Sequence, residues 1–215
     1  LGAVSGAPVR RLGAWRVSEL DRDVTPHLRA GCEENPQLDI LMADALKLDY
    51  AALAPAETRL RLVGNLPYNI STPLLFHLLK FWEHVADMHF MLQKEVVERI
   101  CASAGDDAYG RLSVAIAARA DAKKLFMVGP GAFNPPPQVD SAVVRLKPRP
   151  APFPIADLAR FDEVVKRAFG QRRKTLSNAL KGLLSADQIR SAGIDPIERA
   201  ERLPPEAFAR LSAQL

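Results

Sequence analysis

Leu60-Arg61-Leu62-Val63-Gly64, directly followed by Asn65-Leu66-Pro67-Tyr68 and soon after by Thr72-Pro73, decides how this chain folds. The first segment is a short apolar run closed by glycine, which reads as a strand. The last is a helix start, with a hydroxyl to cap it and a proline at the first helical position. The spacing predicts a helix to about Phe81, with Leu74, Leu75, Leu78 and Leu79 turned inward. A strand passing through a tight loop into a helix is the repeating unit of an open α/β sheet, whose ligands sit at the carboxyl ends of the strands. The loop between them has the parts needed to hold a nucleobase by its edge and its face. Pro67 fixes the backbone, Asn65 supplies a donor and an acceptor, and Tyr68 offers a flat surface for stacking. An ordinary strand-to-helix turn over a buried tyrosine fits the same residues.

On either side of this segment, short apolar runs alternate with longer amphipathic ones. Strands are expected near Trp15 to Leu20, Leu38 to Met42, Leu60 to Gly64, Met88 to Leu92, Lys124 to Val128 and Ala142 to Leu146, with helices between them in one α/β sheet domain. From Lys147 to Pro154 the sequence is Lys-Pro-Arg-Pro-Ala-Pro-Phe-Pro, which continues neither a helix nor a central strand. A domain boundary is expected there, with the sheet domain over residues 1–149 and a small all-helical domain over residues 150–215. Helices are expected over Phe161 to Phe169, Thr175 to Leu184, Ala186 to Ala192 and Pro205 to Leu211.

With 48% hydrophobic and 25% charged residues among 215, the chain has enough apolar material for a packed core, which excludes wholesale disorder. No apolar run reaches the roughly 18 residues of a membrane span. Cys32 and Cys101 stand far apart, outside any zinc-like spacing, and His27, His77, His84 and His89 show no metal pattern either. No metal is expected, the histidines read as structural, and a reducing compartment, the cytoplasm, is the natural home. A net charge of +4 permits a nucleic-acid partner without demanding one.

Two carboxylates fall at the ends of expected parallel strands. Glu19 closes the first, where an acid in a nucleotide-binding fold accepts from ribose hydroxyls about 20 residues after the glycine loop, and Gly2 lies about that far upstream. Asp44 follows the second. Each alone is an ordinary strand terminus or helix cap; together they line the end of the sheet where ligands bind. Lys166, Arg167, Arg172, Arg173, Lys174 and Lys181 form a basic run with no acid between Lys166 and Lys181. A solvated helix face is the plain reading, but uninterrupted charge of one sign repels itself and is better explained by phosphate contacts.

Asn65-Leu66-Pro67-Tyr68 resembles the form that the Asn/Asp-Pro-Pro-Tyr motif of amino-methyltransferases takes in the rRNA adenine N6-dimethyltransferases. The resemblance continues in order through Leu92-Gln93-Lys94-Glu95-Val96, Tyr109-Gly110-Arg111-Leu112-Ser113-Val114 and Phe133-Asn134-Pro135-Pro136-Pro137-Gln138-Val139-Asp140-Ser141. It then takes in Phe169-Gly170-Gln171-Arg172-Arg173-Lys174-Thr175-Leu176 and Gly193-Ile194-Asp195-Pro196 with Arg199-Ala200-Glu201, where it is similar to the small-subunit branch of the family. It implies a Rossmann-like sheet that binds S-adenosylmethionine, and dimethylation of two adjacent adenines in a small-subunit rRNA hairpin. Immature 30S subunits are then the partner, met by a monomer.

The same resemblance implies the roles. Asn65 and the Leu66 carbonyl accept the hydrogens of the adenine amine within the turn fixed by Pro67, while Tyr68 and Phe133 stack on the two faces of the base. Glu19 holds the cofactor ribose and Asp44 its adenine amine, with Asn65 beside them. Gly2 matches the last glycine of a Glu-x-Gly-x-Gly-x-Gly loop, which implies a first strand and further glycines upstream of Leu1 and weak cofactor binding without them. Three alternatives are weighed. A large-subunit rRNA methyltransferase of the macrolide-resistance type shares the catalytic loop but not the Gly193 to Glu201 segment. A ribosome-assembly factor would bind immature subunits without catalysis. A DNA adenine methyltransferase would have proline where Leu66 stands.

Overall fold

The computed structural model describes residues 15–19, 38–54, 58–171 and 173–215. Strands form at all six expected places. β1 (Trp15–Glu19) pairs in parallel with β2 (Leu38–Met42), Val17 lying opposite Ile40. β3 (Leu60–Asn65), β4 (Val85–Gln93), β5 (Ala120–Val128) and β6 (Ser141–Pro148) form a second sheet in the order β3-β4-β6-β5. β3 and β4 run parallel, and β6 is antiparallel to both its neighbours. Among the described residues the two sheets share no paired strands. Side-chain periodicity marks a strand but does not specify its hydrogen-bonded neighbours.

Helices fill the gaps: α1 (Tyr50–Leu53), α2 (Ser71–Leu78), α3 (Lys94–Cys101), α4 (Arg111–Ala117), α5 (Leu158–Ala168), α6 (Leu176–Ala179), α7 (Ala186–Ser191) and α8 (Pro205–Ser212). α2 begins one residue before the expected Thr72 cap. The Ser71 hydroxyl donates back to the Tyr68 carbonyl at 3.0 Å, so the loop winds straight into the helix. Thr72 and Pro73 then fall in the first turn, where a missing N–H leaves no intrahelical bond unmade. After Leu78 the chain tightens into a 3-10 turn over Leu79–His84 rather than continuing as α-helix to Phe81. The expected helix over Thr175 to Leu184 shortens to α6, and Gly182 takes a left-handed φ of 82° just beyond it.

Two apolar cores result. α2 and α3 pack on one face of the four-stranded sheet around Leu75, Leu78, Met88, Leu92, Val144 and Leu146. The second core gathers Phe161, Leu176, Leu180, Ile189, Phe208 and Leu211 from the C-terminal helices. It also takes Tyr109, Val114 and Ala118 from before the proline-rich segment, so the helical region does not close a core by itself. Burying each such side chain contributes about 1.5–3 kcal/mol. Two polar contacts pin the halves together. Arg119, 4% exposed, donates to both carboxylate oxygens of Asp162 at 2.8 and 2.6 Å, and the Tyr109 hydroxyl donates to the Leu203 carbonyl at 2.8 Å.

Candidate active site

The Asn-Leu-Pro-Tyr loop begins while β3 is still paired, with Asn65 opposite Met91. The Leu66 N–H donates to the Met91 carbonyl at 3.1 Å and its side chain is buried, which extends the ladder one step past the strand. The Ile70 N–H then donates to the Pro67 carbonyl at 3.2 Å and closes a turn. Beneath the loop, a Cβ on Gly64 would stand 3.2 Å from Leu66 Cδ2, so the missing side chain is what lets Leu66 fold back over the sheet. This leaves Asn65 and Tyr68 exposed at the sheet end. Among the described residues the Asn65 side-chain amide has no hydrogen-bond partner and the Leu66 carbonyl accepts no bond. Both are available to a ligand.

Tyr68 is not a free ring. Its hydroxyl lies 3.2 Å from Ser141 Oγ, and Ser141 is 1% exposed at the first position of β6. Ser141 pairs with Gln93 on one side and Val128 on the other. The connection from β5 to β6, which carries Phe133, therefore opens at the same end of the sheet as the loop. Phe133 is half-buried there, its N–H donating to the Pro130 carbonyl at 3.1 Å in a short 3-10 turn. Ser141 and Gly64 were not read from the sequence as site residues. Ser141 carried only its place at the end of a family segment, and Gly64 only its place at the end of a strand.

Glu19 ends β1 and Asp44 follows β2 on the adjacent parallel strand. The Ala43 N–H donates to the Glu19 carbonyl at 3.1 Å, and the Ser18 hydroxyl donates to the Ala43 carbonyl at 3.0 Å. The Asp44 carboxylate also does the plain work of a turn cap, accepting the Leu46 N–H at 2.9 Å. The segment after β2 is fastened beside α2. The Tyr50 hydroxyl donates to the Ala45 carbonyl at 3.1 Å, and a His77 ring nitrogen lies 2.8 Å from the Leu48 carbonyl. Burial first, and the Asp44 charge second, push the Tyr50 hydroxyl up to about 12. Two carboxylates at the ends of adjacent strands are suited to accept from ribose hydroxyls and an adenine amine. Gly2 lies outside the described residues, as do Cys32 and His27.

The basic run is less uniform than its sequence. Glu163, one helical turn before Lys166 and Arg167, pairs with them at 3.4 and 2.9 Å, and the Arg167 hydrogen bond holds the Glu163 carboxyl below its usual range. Arg173, Lys174 and Lys181 are exposed with no ion pair among the described residues, and Arg172 lies outside them. His89 sits 3.4 Å from Asp87. Among the described residues no group of three or more His, Cys, Asp or Glu is arranged to hold a metal, and no helix is long and apolar enough to cross a membrane.

Acidic ends on adjacent parallel strands, followed by an Asn-Leu-Pro-Tyr turn at the end of a third, define a Rossmann-like, S-adenosylmethionine-dependent methyltransferase. Residues 9–215 match the model of the family described as ribosomal RNA adenine dimethylase, and the chain belongs to that family. It is 53% identical over 212 residues to the ribosomal RNA small subunit methyltransferase A of Acidithiobacillus ferrooxidans, covering 98% of this chain and 79% of that one. With the protein of the same name from Hahella chejuensis it shares 51% identity, over 99% of this chain and 78% of the other. In fold it is similar to a dimethyladenosine transferase from Plasmodium falciparum, with a TM-score of 0.72 at 23% identity over 92% of this chain and 80% of that one. The 23S rRNA methyltransferase ErmE gives 0.67 at 22% identity over 94% and 82%.

Proposed function

We propose that this chain carries the catalytic machinery of an rRNA adenine N6-dimethyltransferase acting on two adjacent adenines of a small-subunit rRNA hairpin. The observation that carries this reading is the pair of unengaged acceptors, the Asn65 side chain and the Leu66 carbonyl, at the end of β3. An adenine amine is a poor nucleophile because its lone pair is delocalised into the ring. Two acceptors that take its two hydrogens fix the nitrogen and turn the lone pair toward the electrophile, a gain of orientation and electrostatics. Bound S-adenosylmethionine would supply that electrophile as a methyl group on a sulfonium. Glu19 and Asp44 would hold its ribose and adenine, with Asn65 beside them. Tyr68 and Phe133 would clamp the target base, and base–aromatic stacking contributes about 1–3 kcal/mol per base. Because a paired base cannot enter such a slot, the target is unpaired or flipped out.

In this reading residues 1–149 are the methyltransferase domain and residues 150–215 dock RNA. Arg173, Lys174 and Lys181, with Arg172, Lys166 and Arg167, contact phosphates and position the enzyme, while the hairpin's shape selects the adenines. The protein works as a cytoplasmic monomer on immature 30S subunits. Methyl transfer to immature small subunits by the complete protein tests this directly, with incorporation confined to adjacent adenines as the expected result. Subunit binding with no transfer in the presence of cofactor would contradict it. Reversing Arg173 and Lys174 to Glu should weaken association and reduce its salt dependence.

A further inference from the structure

The Tyr109 to Val114 segment has no part in the proposed catalysis, yet its residues Tyr109 to Leu112 line a cleft of about 820 Å³ formed by both halves of the chain. Arg111, the first residue of α4, holds its guanidinium 4.4 Å from the centre of the Phe76 ring on α2. It makes no ion pair among the described residues and is exposed. An arginine engaged by a ring instead of a carboxylate keeps its donors for another partner. Arg202 likewise has no ion pair among the described residues, but none of their rings lies beneath it, and the other two arginines of the cleft are paired. Arg99 is held by Glu95 at 2.5 Å, and Arg199 lies 4.0 Å from Glu201. Asp107 and Glu198 face the same space and are also without ion pairs among the described residues.

The charge of this cleft is balanced, with arginines Arg99, Arg111, Arg199 and Arg202 against Asp106, Asp107, Glu198 and Glu201. A groove that tracks a phosphate backbone carries one sign of charge. A mixed cleft of this size suits a compact ligand with both an anionic part and donor-bearing edges. We propose that the cleft is a second nucleotide subsite, separate from the catalytic loop, that takes one unpaired nucleotide of the RNA. Arg111, backed by Phe76, meets its base face or phosphate, and Asp107 and Glu198 accept from base amino groups, as carboxylates do from cytosine. This rests on the reading of RNA as the substrate. It adds a fixed point between the basic C-terminal helices and the target adenine.

The test uses the complete protein with short single-stranded oligoribonucleotides, each of one base type, and with free nucleoside monophosphates, followed by fluorescence anisotropy and competition. Arg111→Gln is expected to weaken oligoribonucleotide binding about tenfold, the size of one lost base stack. Arg111→Lys should restore only part of it, and Glu198→Gln should change the order of preference among bases. Melting temperatures within a degree or two of the parent, about, would show that the variants fold. Unchanged oligoribonucleotide affinity in a folded Arg111→Gln protein would overturn the subsite. So would loss of monophosphate binding alone, which would make the cleft a free-nucleotide site. Methyl transfer by the parent protein is measured separately, so a failed subsite and a failed methyltransferase reading give different results.

Discussion

The Tyr68 hydroxyl stands 3.2 Å from Ser141 Oγ, and this contact ties the loop after β3 to the first residue of β6, two strands away in the sheet. It restrains the ring that the proposed function sets against the target base. Ser141→Ala should lower kcat with little change in KM, since a hydrogen bond of this kind contributes about 0.5–1.5 kcal/mol. Tyr68→Phe should cost a similar amount, and the double variant no more than the larger single effect. Additive losses would mean that the two groups act independently.

Gly64 is where a single methyl group tests the packing beneath the loop. Its added Cβ would meet Leu66 Cδ2 at 3.2 Å and Phe90 Cδ1 at 3.7 Å. Gly64→Ala should displace Leu66, and with it the carbonyl proposed to accept from the adenine amine, costing about 1–3 kcal/mol in overpacking. The expected outcome is a lower kcat together with a lower melting temperature. Gly64→Val should be worse on both counts.

Arg119 is buried with its Nε unpartnered among the described residues, so it depends on the Asp162 carboxylate across the two cores. Asp162→Ala removes that partner and should destabilise the protein by about 1–3 kcal/mol, as for other buried donors left unsatisfied. Asp162→Asn keeps an acceptor and should cost less. Denaturant unfolding would measure both, and equal stability of Asp162→Ala and the parent would show the contact to be dispensable.

Alkaline stability follows from Tyr50 and Tyr109. Burial raises both hydroxyls, Tyr50 to about 12 with help from Asp44, and Tyr109 upward with help from Glu206. A folded-state value above the ordinary 10.0 means that the folded protein holds these protons more tightly than the unfolded chain. Their contribution is fully present below pH 10 and is lost as pH climbs from there through the folded values. Unfolding free energies should therefore fall above about pH 10, and less steeply in Tyr50→Phe, because phenylalanine has no proton to lose.

Much of the fold was legible because it is periodic. All six strands, the apolar face of α2 and the C-terminal helices follow from the spacing of apolar residues. What escaped depends on contacts between segments distant in sequence. The order β3-β4-β6-β5, with β6 antiparallel between β4 and β5, is a matter of partner choice that the period of a strand does not specify. In the site, Asn65, Leu66, Pro67 and Tyr68 were visible as a contiguous motif. The anchor at Ser141, 73 residues from Tyr68, needed three dimensions, whereas Glu163, three and four residues before Lys166 and Arg167, lay within reach of helical spacing.

Asn65→Ala, assayed in the complete protein with saturating cofactor and immature small subunits, addresses the proposed chemistry most directly. The side-chain amide has no partner among the described residues, so its removal should leave the fold intact. Single-turnover methyl transfer should then fall by about two to three orders of magnitude, as for loss of one electrostatic stabiliser in a reacting site, while subunit affinity stays within about twofold. Loss of affinity equal to the loss of rate, or transfer at the parent rate, would contradict the role assigned to Asn65.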